Sequence, residues 1–190
     1  MTESLETPRL SLRRFADSEA DGRLLVELDS DPEVMRYIGP TGLTTVEAAR
    51  ELIRGRIIPS CVAGTPRGGW AAHLKPAGEF IGWFFLRSAP ASLLAAEAGW
   101  TRPTDLEVGY RLRRAAWGRG LATEGASFLV ERGLVDSTIT CILGMASAAN
   151  LASCRVLEKC GLVRYREFVT PRFADPEVLY ARCRDGCAHP

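Results

Sequence analysis

Histidine is nearly absent: His73 and His189 are the only two, too few for a histidine-rich metal centre and poor company for a nucleophilic cysteine or serine. Charge of one sign is absent as well. The 24 Lys and Arg side chains against 23 Asp and Glu leave a net +1, which excludes bulk electrostatic attraction to nucleic acid or an anionic membrane and leaves only local basic patches. No apolar run approaches the roughly 18 residues that cross a bilayer. The acidic opening Met1–Glu6 lacks the apolar core of a secretory leader, so a cytoplasmic location is expected. The Gly-Lys-Ser/Thr phosphate loop is missing, and after Gly118-Arg119-Gly120 the next position in register is Thr123, so the dinucleotide fingerprint is incomplete. The six cysteines (Cys61, Cys141, Cys154, Cys160, Cys183, Cys187) are scattered and read as small hydrophobes rather than bridges in a reducing compartment. Cys183 and Cys187 lack further ligands, and no metal is expected.

What is present is an ordinary globular composition, 46% hydrophobic and 25% charged over 190 residues, which predicts one domain spanning 1–190. Arg9–Arg13 alternates polar and apolar residues and predicts a first strand. Helices are expected after Asp17 and Ser18, from Pro32 to Ile38, and from Thr44 or Thr45 to Ile53, with Glu47 completing a capping box on Thr44. The aromatic and β-branched runs Trp70–Leu74 and Phe80–Leu86 predict a hairpin. Residues 88–105 suggest only a short helix and a loop. Leu106–Leu112 alternates as a strand, and Ala122–Glu131 reads as a helix. Then follow a buried strand over Thr138–Met145, a helix over Leu151–Cys160 stopped by Gly161, and strands near Leu162–Thr170 and Val178–Arg184.

The chemistry concentrates between Leu112 and Thr123, where the chain must leave a strand, turn sharply on Gly118 and Gly120, and begin a helix. Such a turn exposes main-chain amides, and the first turn of the helix has N–H groups without internal partners at the positive end of its dipole. A pyrophosphate suits that place, with Arg113, Arg114 and Arg119 around it. Taken alone, the two glycines are equally compatible with a plain tight connection.

Three stretches together carry a resemblance: Leu106–Leu112, then Ala115-Ala116-Trp117-Gly118-Arg119-Gly120-Leu121-Ala122-Thr123-Glu124, then Asn150–Leu162 with its Asn-x-x-Ser-x-x-Val-Leu-Glu-Lys-x-Gly-Leu string. They resemble the GNAT superfamily of N-acetyltransferases, and within it the RimJ/RimL-like branch, with a looser likeness in Thr7-Pro8-Arg9-Leu10. One departure is Ala115, where the superfamily usually has Gln or Arg.

The resemblance implies an α+β fold: a mixed, mostly antiparallel twisted sheet of six to seven strands with four to five flanking helices and a splayed central strand pair. The cofactor-binding core would span about 106–162. It implies acetyl-CoA as co-substrate, bound by Leu112, Arg113, Arg114, Trp117, Gly118, Arg119, Gly120, Leu121, Ala122, Thr123, Asn150 and Ser153. The acceptor is a primary amine, a peptide N-terminus or a small molecule, which attacks directly; a homodimer is compatible with the branch. Glu107 is the candidate base, through a water, or else a strand residue paired with Arg111 or a neighbouring strand. Ser153 is placed on the thiolate or pantetheine, or is a first-turn cap, and Asn150 contacts pantetheine, caps the helix, or both. Trp117 reads as packing rather than a lid, and Cys154 as core. A tyrosine, the common acid elsewhere in the superfamily, is absent just after Asn150, and Tyr165 is the nearest. A catalytically silent acyl-CoA sensor and an unrelated phosphate-binding α/β enzyme are the alternatives.

Overall fold

The computed structural model describes residues 3–39 and 42–184. Its eight strands form one sheet: β1 (Ser4–Glu6), β2 (Leu10–Arg14), β3 (Gly68–Leu74), β4 (Glu79–Ser88), β5 (Leu106–Leu112), β6 (Cys141–Ser147), β7 (Val163–Phe168) and β8 (Glu177–Cys183). Their order is β1-β2-β3-β4-β5-β6-β8-β7, and every neighbouring pair is antiparallel except β5 with β6, which is parallel. This is the mixed α+β arrangement expected, with one strand more than the sequence suggested. The addition is β1, three residues too short to carry a visible alternation.

Local chemistry sets the helices. α1 (Glu19–Asp29) starts at Ser18, whose hydroxyl accepts the Asp21 amide, and α2 (Pro32–Met35) starts at Asp31 with proline in its first turn. α3 (Val46–Leu52) is capped by Thr45, which accepts the Ala48 amide; the cap is therefore one residue later than Thr44. The 88–105 segment resolves into a tight turn over Ala89–Ala91, α4 (Leu93–Glu97) capped by Ser92, and a loop whose Trp100 indole donates to the buried Asp105. α5 (Leu121–Val135) follows β5 and α6 (Leu151–Lys159) follows β6, the two strands of the parallel pair.

Alternation along each strand divides two faces. Leu106, Val108 and Leu112 join Leu121, Leu129 and Val130 of α5 and Leu157 of α6 in the largest core. Gly125 brings α5 against the sheet, since a Cβ there would stand 2.4 Å from Phe84. The opposite face is covered by α1, α2 and α3 over β3 and β4, and by α4 with Trp100 over β6 and β8. Burying a Leu or Val side chain stabilises by roughly 1.5–3 kcal/mol, which is why the strands with two covered faces read as nearly continuous apolar runs.

The cysteines depart from expectation. Cys141 and Cys183 sit directly opposite each other on β6 and β8 and form a disulfide, while Cys61, Cys154 and Cys160 are free thiols. The pair occupies a non-hydrogen-bonded position, fixed by the Arg184 amide donating to the Thr140 carbonyl, where cross-strand side chains approach most closely. Cys187 and His189 lie outside the described residues.

Candidate active site

After β5 the chain makes one tight helical turn at Arg114–Ala116 and enters α5 through Gly118 (φ 69°) and Gly120 (φ 74°). Both glycines adopt the left-handed conformation that L side chains resist. A Cβ on Gly118 would meet nothing within 4 Å, so the glycine is there for its backbone angle and the open space above it. Gly120 caps α5 without a side chain, and the first helical bond runs from the Glu124 amide to the Gly120 carbonyl. Among the described residues, no protein acceptor takes the amides of Gly118, Arg119, Gly120, Leu121, Ala122 or Thr123. Six unpaired amides at a helix N-terminus make a cradle for a diphosphate.

The arginines divide around that cradle. Arg113 turns away, pairing with Glu27 of α1 at 2.9 Å and lying over the Phe80 ring. Arg114 and Arg119 are exposed beside the turn. Arg9, in the bend just before β2, reaches across, donating to the Arg119 carbonyl at 2.8 Å and to Glu124 at 2.6 Å. Burial pushes the Glu124 carboxyl up, but bonds from the Thr7 hydroxyl and from Arg9 outweigh it and hold the group below its usual range. The Thr7–Leu10 opening thus anchors the turn from outside.

The parallel pair separates almost at once. β5 and β6 register only at Leu106 with Ile142 and Glu107 with Leu143, and from Val108 onward the β6-facing edge of β5 is open. The bond from the Arg113 amide to the Ile81 carbonyl makes Leu112 and Gly82 a non-bonded pair of the β4–β5 ladder. Strand periodicity then turns the main-chain groups of Val108, Tyr110 and Leu112 toward the opening. The Trp117 indole takes the Leu112 carbonyl at 2.8 Å, so Trp117 braces the turn, and Val108 and Tyr110 offer the free edge.

On the α6 side of that opening, Asn150 caps the helix by accepting the Ser153 amide at 3.1 Å. The Ser153 hydroxyl meets the Tyr110 hydroxyl at 2.9 Å. Burial pushes the Tyr110 phenol up despite its bond to Ser153, which keeps it protonated. Tyr165, by contrast, packs edge-on against Trp100 and stands on the other face. On that other face Glu107 is buried, and its Oε2 accepts both Nε and Nη2 of Arg87 at 2.8 Å. Arg111 is bonded to Asp29 of α1 rather than to Glu107.

Sequence reasoning placed the turn and its following helix, but not three residues that the fold brings to the turn and the opening. Arg9 and Tyr110 act across sequence separations of 110 and 43 residues, and no local pattern signals such contacts. Val108 presents its main chain to the opening, and a main chain carries no residue signature. Among the described residues no group of three or more His, Cys, Asp or Glu stands together to hold a metal. No described helix is long and apolar enough to cross a membrane.

A family profile described as an acetyltransferase (GNAT) domain matches residues 9–163. The FsC-acetyl coenzyme A-N(2)-transacetylase of Aspergillus fumigatus is 28% identical over 190 residues, covering 96% of this chain and 77% of that protein. An uncharacterized N-acetyltransferase p20 of Bacillus licheniformis is 29% identical, covering 91% of this chain and 92% of its own. The solved structure of AAC(6')-Ib with ribostamycin and coenzyme A superposes with a TM-score of 0.73 at 26% identity, over 92% of this chain and 93% of that one.

Proposed function

The chain belongs to the GNAT acetyltransferase family and is an acetyl-CoA-dependent acetyltransferase, and on that premise we propose that it acetylates a primary amine held between α1 and α4, by direct attack within a ternary complex. The observation that carries this reading is the conjunction of six unpaired amides at the Gly118–Gly120 turn with the open edge of β5. The amides of Gly118 to Thr123 receive the pyrophosphate, with Arg114, Arg119 and Arg9 on the outlying oxygens. The edge of Val108 and Tyr110 receives the pantetheine arm, and the side-chain amide of Asn150 closes over it.

Acetyl-CoA supplies the activated acyl group; the chain supplies position and proton traffic. A main-chain amide of the open β5 edge stabilises the charge that develops on the thioester oxygen, a contribution of roughly 3 kcal/mol for one such donor. Glu107, oriented by Arg87, orders the water that takes the proton from the amine. Ser153, with the protonated Tyr110 behind it, donates to the departing sulfur. This network answers the absence of a tyrosine after Asn150: the phenol comes from the strand instead of the helix.

Within the family, the Asn150–Leu162 string supports the RimJ/RimL-like branch, whose resemblance brings a peptide N-terminus into consideration. One relative points instead to small amines, since the solved AAC(6')-Ib structures hold aminoglycosides. We assign the acceptor to the small amines, because that is the class the solved relatives hold, and because α1, α2 and α3, and α4 with Trp100, pack over the face of the sheet on which Glu107 stands. The test is acetyl-CoA consumption with a panel of aminoglycosides, alkyl amines and peptides with free N-termini. Turnover confined to the peptides overturns the small-amine assignment, and coenzyme A binding without turnover on any amine overturns the catalytic one.

A further inference from the structure

Glu177 has no part in the chemistry above, and its situation calls for a partner. It opens β8, directly opposite Ser147 at the end of β6 and opposite Phe168 on β7. The residue is 3% exposed, and its Oε1 atom is buried with no hydrogen-bond partner. Val178 and Tyr180 point into the core shared with α6, whereas Leu179 and Ala181 point to the α4 and Trp100 side. Strand alternation therefore sends Glu177 to the same side as Glu107, the side assigned to the acceptor.

It also stands at the wide end of the splayed pair. Ser147 is the last residue of β6, four positions beyond its last pairing with β5 at Leu143. The Ala148 amide donates to the Pro176 carbonyl at 2.8 Å and the Asn150 amide to the Ser147 carbonyl at 2.9 Å, which links the strand start at Glu177 to the turn that delivers Ser153. Burial, with Asp175 nearby, pushes the Glu177 carboxyl up to about 7. A lone buried carboxylate oxygen is costly unless a donor meets it, and a charged donor repays most.

We infer that Glu177 is an acceptor-recognition residue that binds a second cationic nitrogen, so the acceptor is a compact diamine or polyamine with one amine acetylated and another held at Glu177. This rests on the reading of the site as an amine acetyltransferase and narrows its substrate class. The turn 169–176 leads directly into Glu177 and is tied to α4 by the Arg172–Glu97 ion pair at 2.9 Å. A neutral or acidic group at the same place would leave the oxygen unpaired or repelled.

The experiment compares cadaverine with n-pentylamine, matched in length and differing in one amine, on the full chain and on Glu177→Gln. Wild type should favour cadaverine. Glu177→Gln should raise the KM for cadaverine about 10- to 100-fold, the loss of one charged hydrogen bond, while the pentylamine constants and the KM for acetyl-CoA hold. Equal constants for the two amines in wild type, or an equal change for both in the variant, would overturn the inference. Thermal shift in the presence of coenzyme A provides a second readout that needs no turnover. Cadaverine should stabilise wild type but not Glu177→Gln, and failure to stabilise wild type counts against the site. If neither amine is acetylated yet this binding difference persists, the acetyl-transfer assignment fails and the diamine site stands. The amide is isosteric and removes a buried charge, so the variant is expected to fold; Glu177→Ala repeats the comparison with a different side-chain volume.

Discussion

At the scale of single residues, Glu107 and Ser153 carry distinct loads that kinetics can separate. Arg87 fixes the Glu107 carboxylate through two bonds to one oxygen, an arrangement that orients the group without occupying it entirely. Glu107→Gln should lower kcat by ~100-fold, the lower end of what a positioned base contributes, with the KM for acetyl-CoA within about twofold. Unchanged kcat in that variant would remove Glu107 from the mechanism. Ser153→Ala should lower kcat by roughly tenfold while Tyr110→Phe, one bond further from the sulfur, costs less. Glu177 makes a separate prediction about stability. Its carboxyl is protonated below about 7 in the fold but ionises from its ordinary 4.5 in the unfolded chain, so between those values the native state holds the extra proton. Stability therefore falls as pH rises through that window and levels off above it, by on the order of 3 kcal/mol if the group accounts for the whole slope. Denaturation midpoints of wild type and Glu177→Gln at about pH 5 and about pH 8 check this, because the variant should lose that part of the slope.

At the scale of elements, the strand, turn and helix from Leu106 to Val135 act as one device. The strand supplies an open edge, the glycines reverse the chain, and the helix start supplies amides. Gly118→Val and Gly120→Val force a left-handed conformation on a β-branched residue, at a cost of about 1–2 kcal/mol each, and place a side chain where the diphosphate would lie. Each should remain folded, lose coenzyme A binding by about tenfold or more in titration calorimetry, and keep its circular dichroism. Undiminished binding would end the assignment of the cradle. Much of this device was legible in the sequence, since strict alternation over Leu106–Leu112 and paired glycines ahead of a helical run are local signals. The splay between β5 and β6 was legible only through family resemblance, because pairing that stops after Leu143 leaves no mark in either strand. The 88–105 segment resisted for another reason. Its shape depends on one serine cap and on the Trp100 to Asp105 bond across a loop, neither of which repeats with a period. Tyr110 illustrates the same limit in the site, since it reads as an ordinary strand aromatic until α6 is folded against it.

At the scale of the whole molecule, the Cys141–Cys183 bond was invisible in the spacing because cross-strand partners are set by register, and the register of β6 on β8 is a property of the closed sheet. Its location separates stability from catalysis. The bond joins the start of β6 to the end of β8, beside the point where β5 and β6 are still paired, whereas the splayed mouth begins after Leu143 and is widest at Ser147, six positions along β6 from Cys141. A cross-link over a separation of 42 residues removes loop-closure freedom from the unfolded chain worth about 4 kcal/mol in the entropic account, which is an upper figure. Dithiothreitol should therefore lower the denaturation midpoint of the wild-type chain and leave that of Cys141→Ala/Cys183→Ala unmoved. The kcat of the reduced protein, measured well below its midpoint, should match that of the oxidised one. Thiol titration in denaturant checks the premise: of six cysteines, at most four should react before reduction. Six reactive thiols in protein purified without reductant would show that the two strands are held by their ladder alone. A kcat that fell on reduction would mean that the paired end of the sheet controls the width of the mouth at its far end.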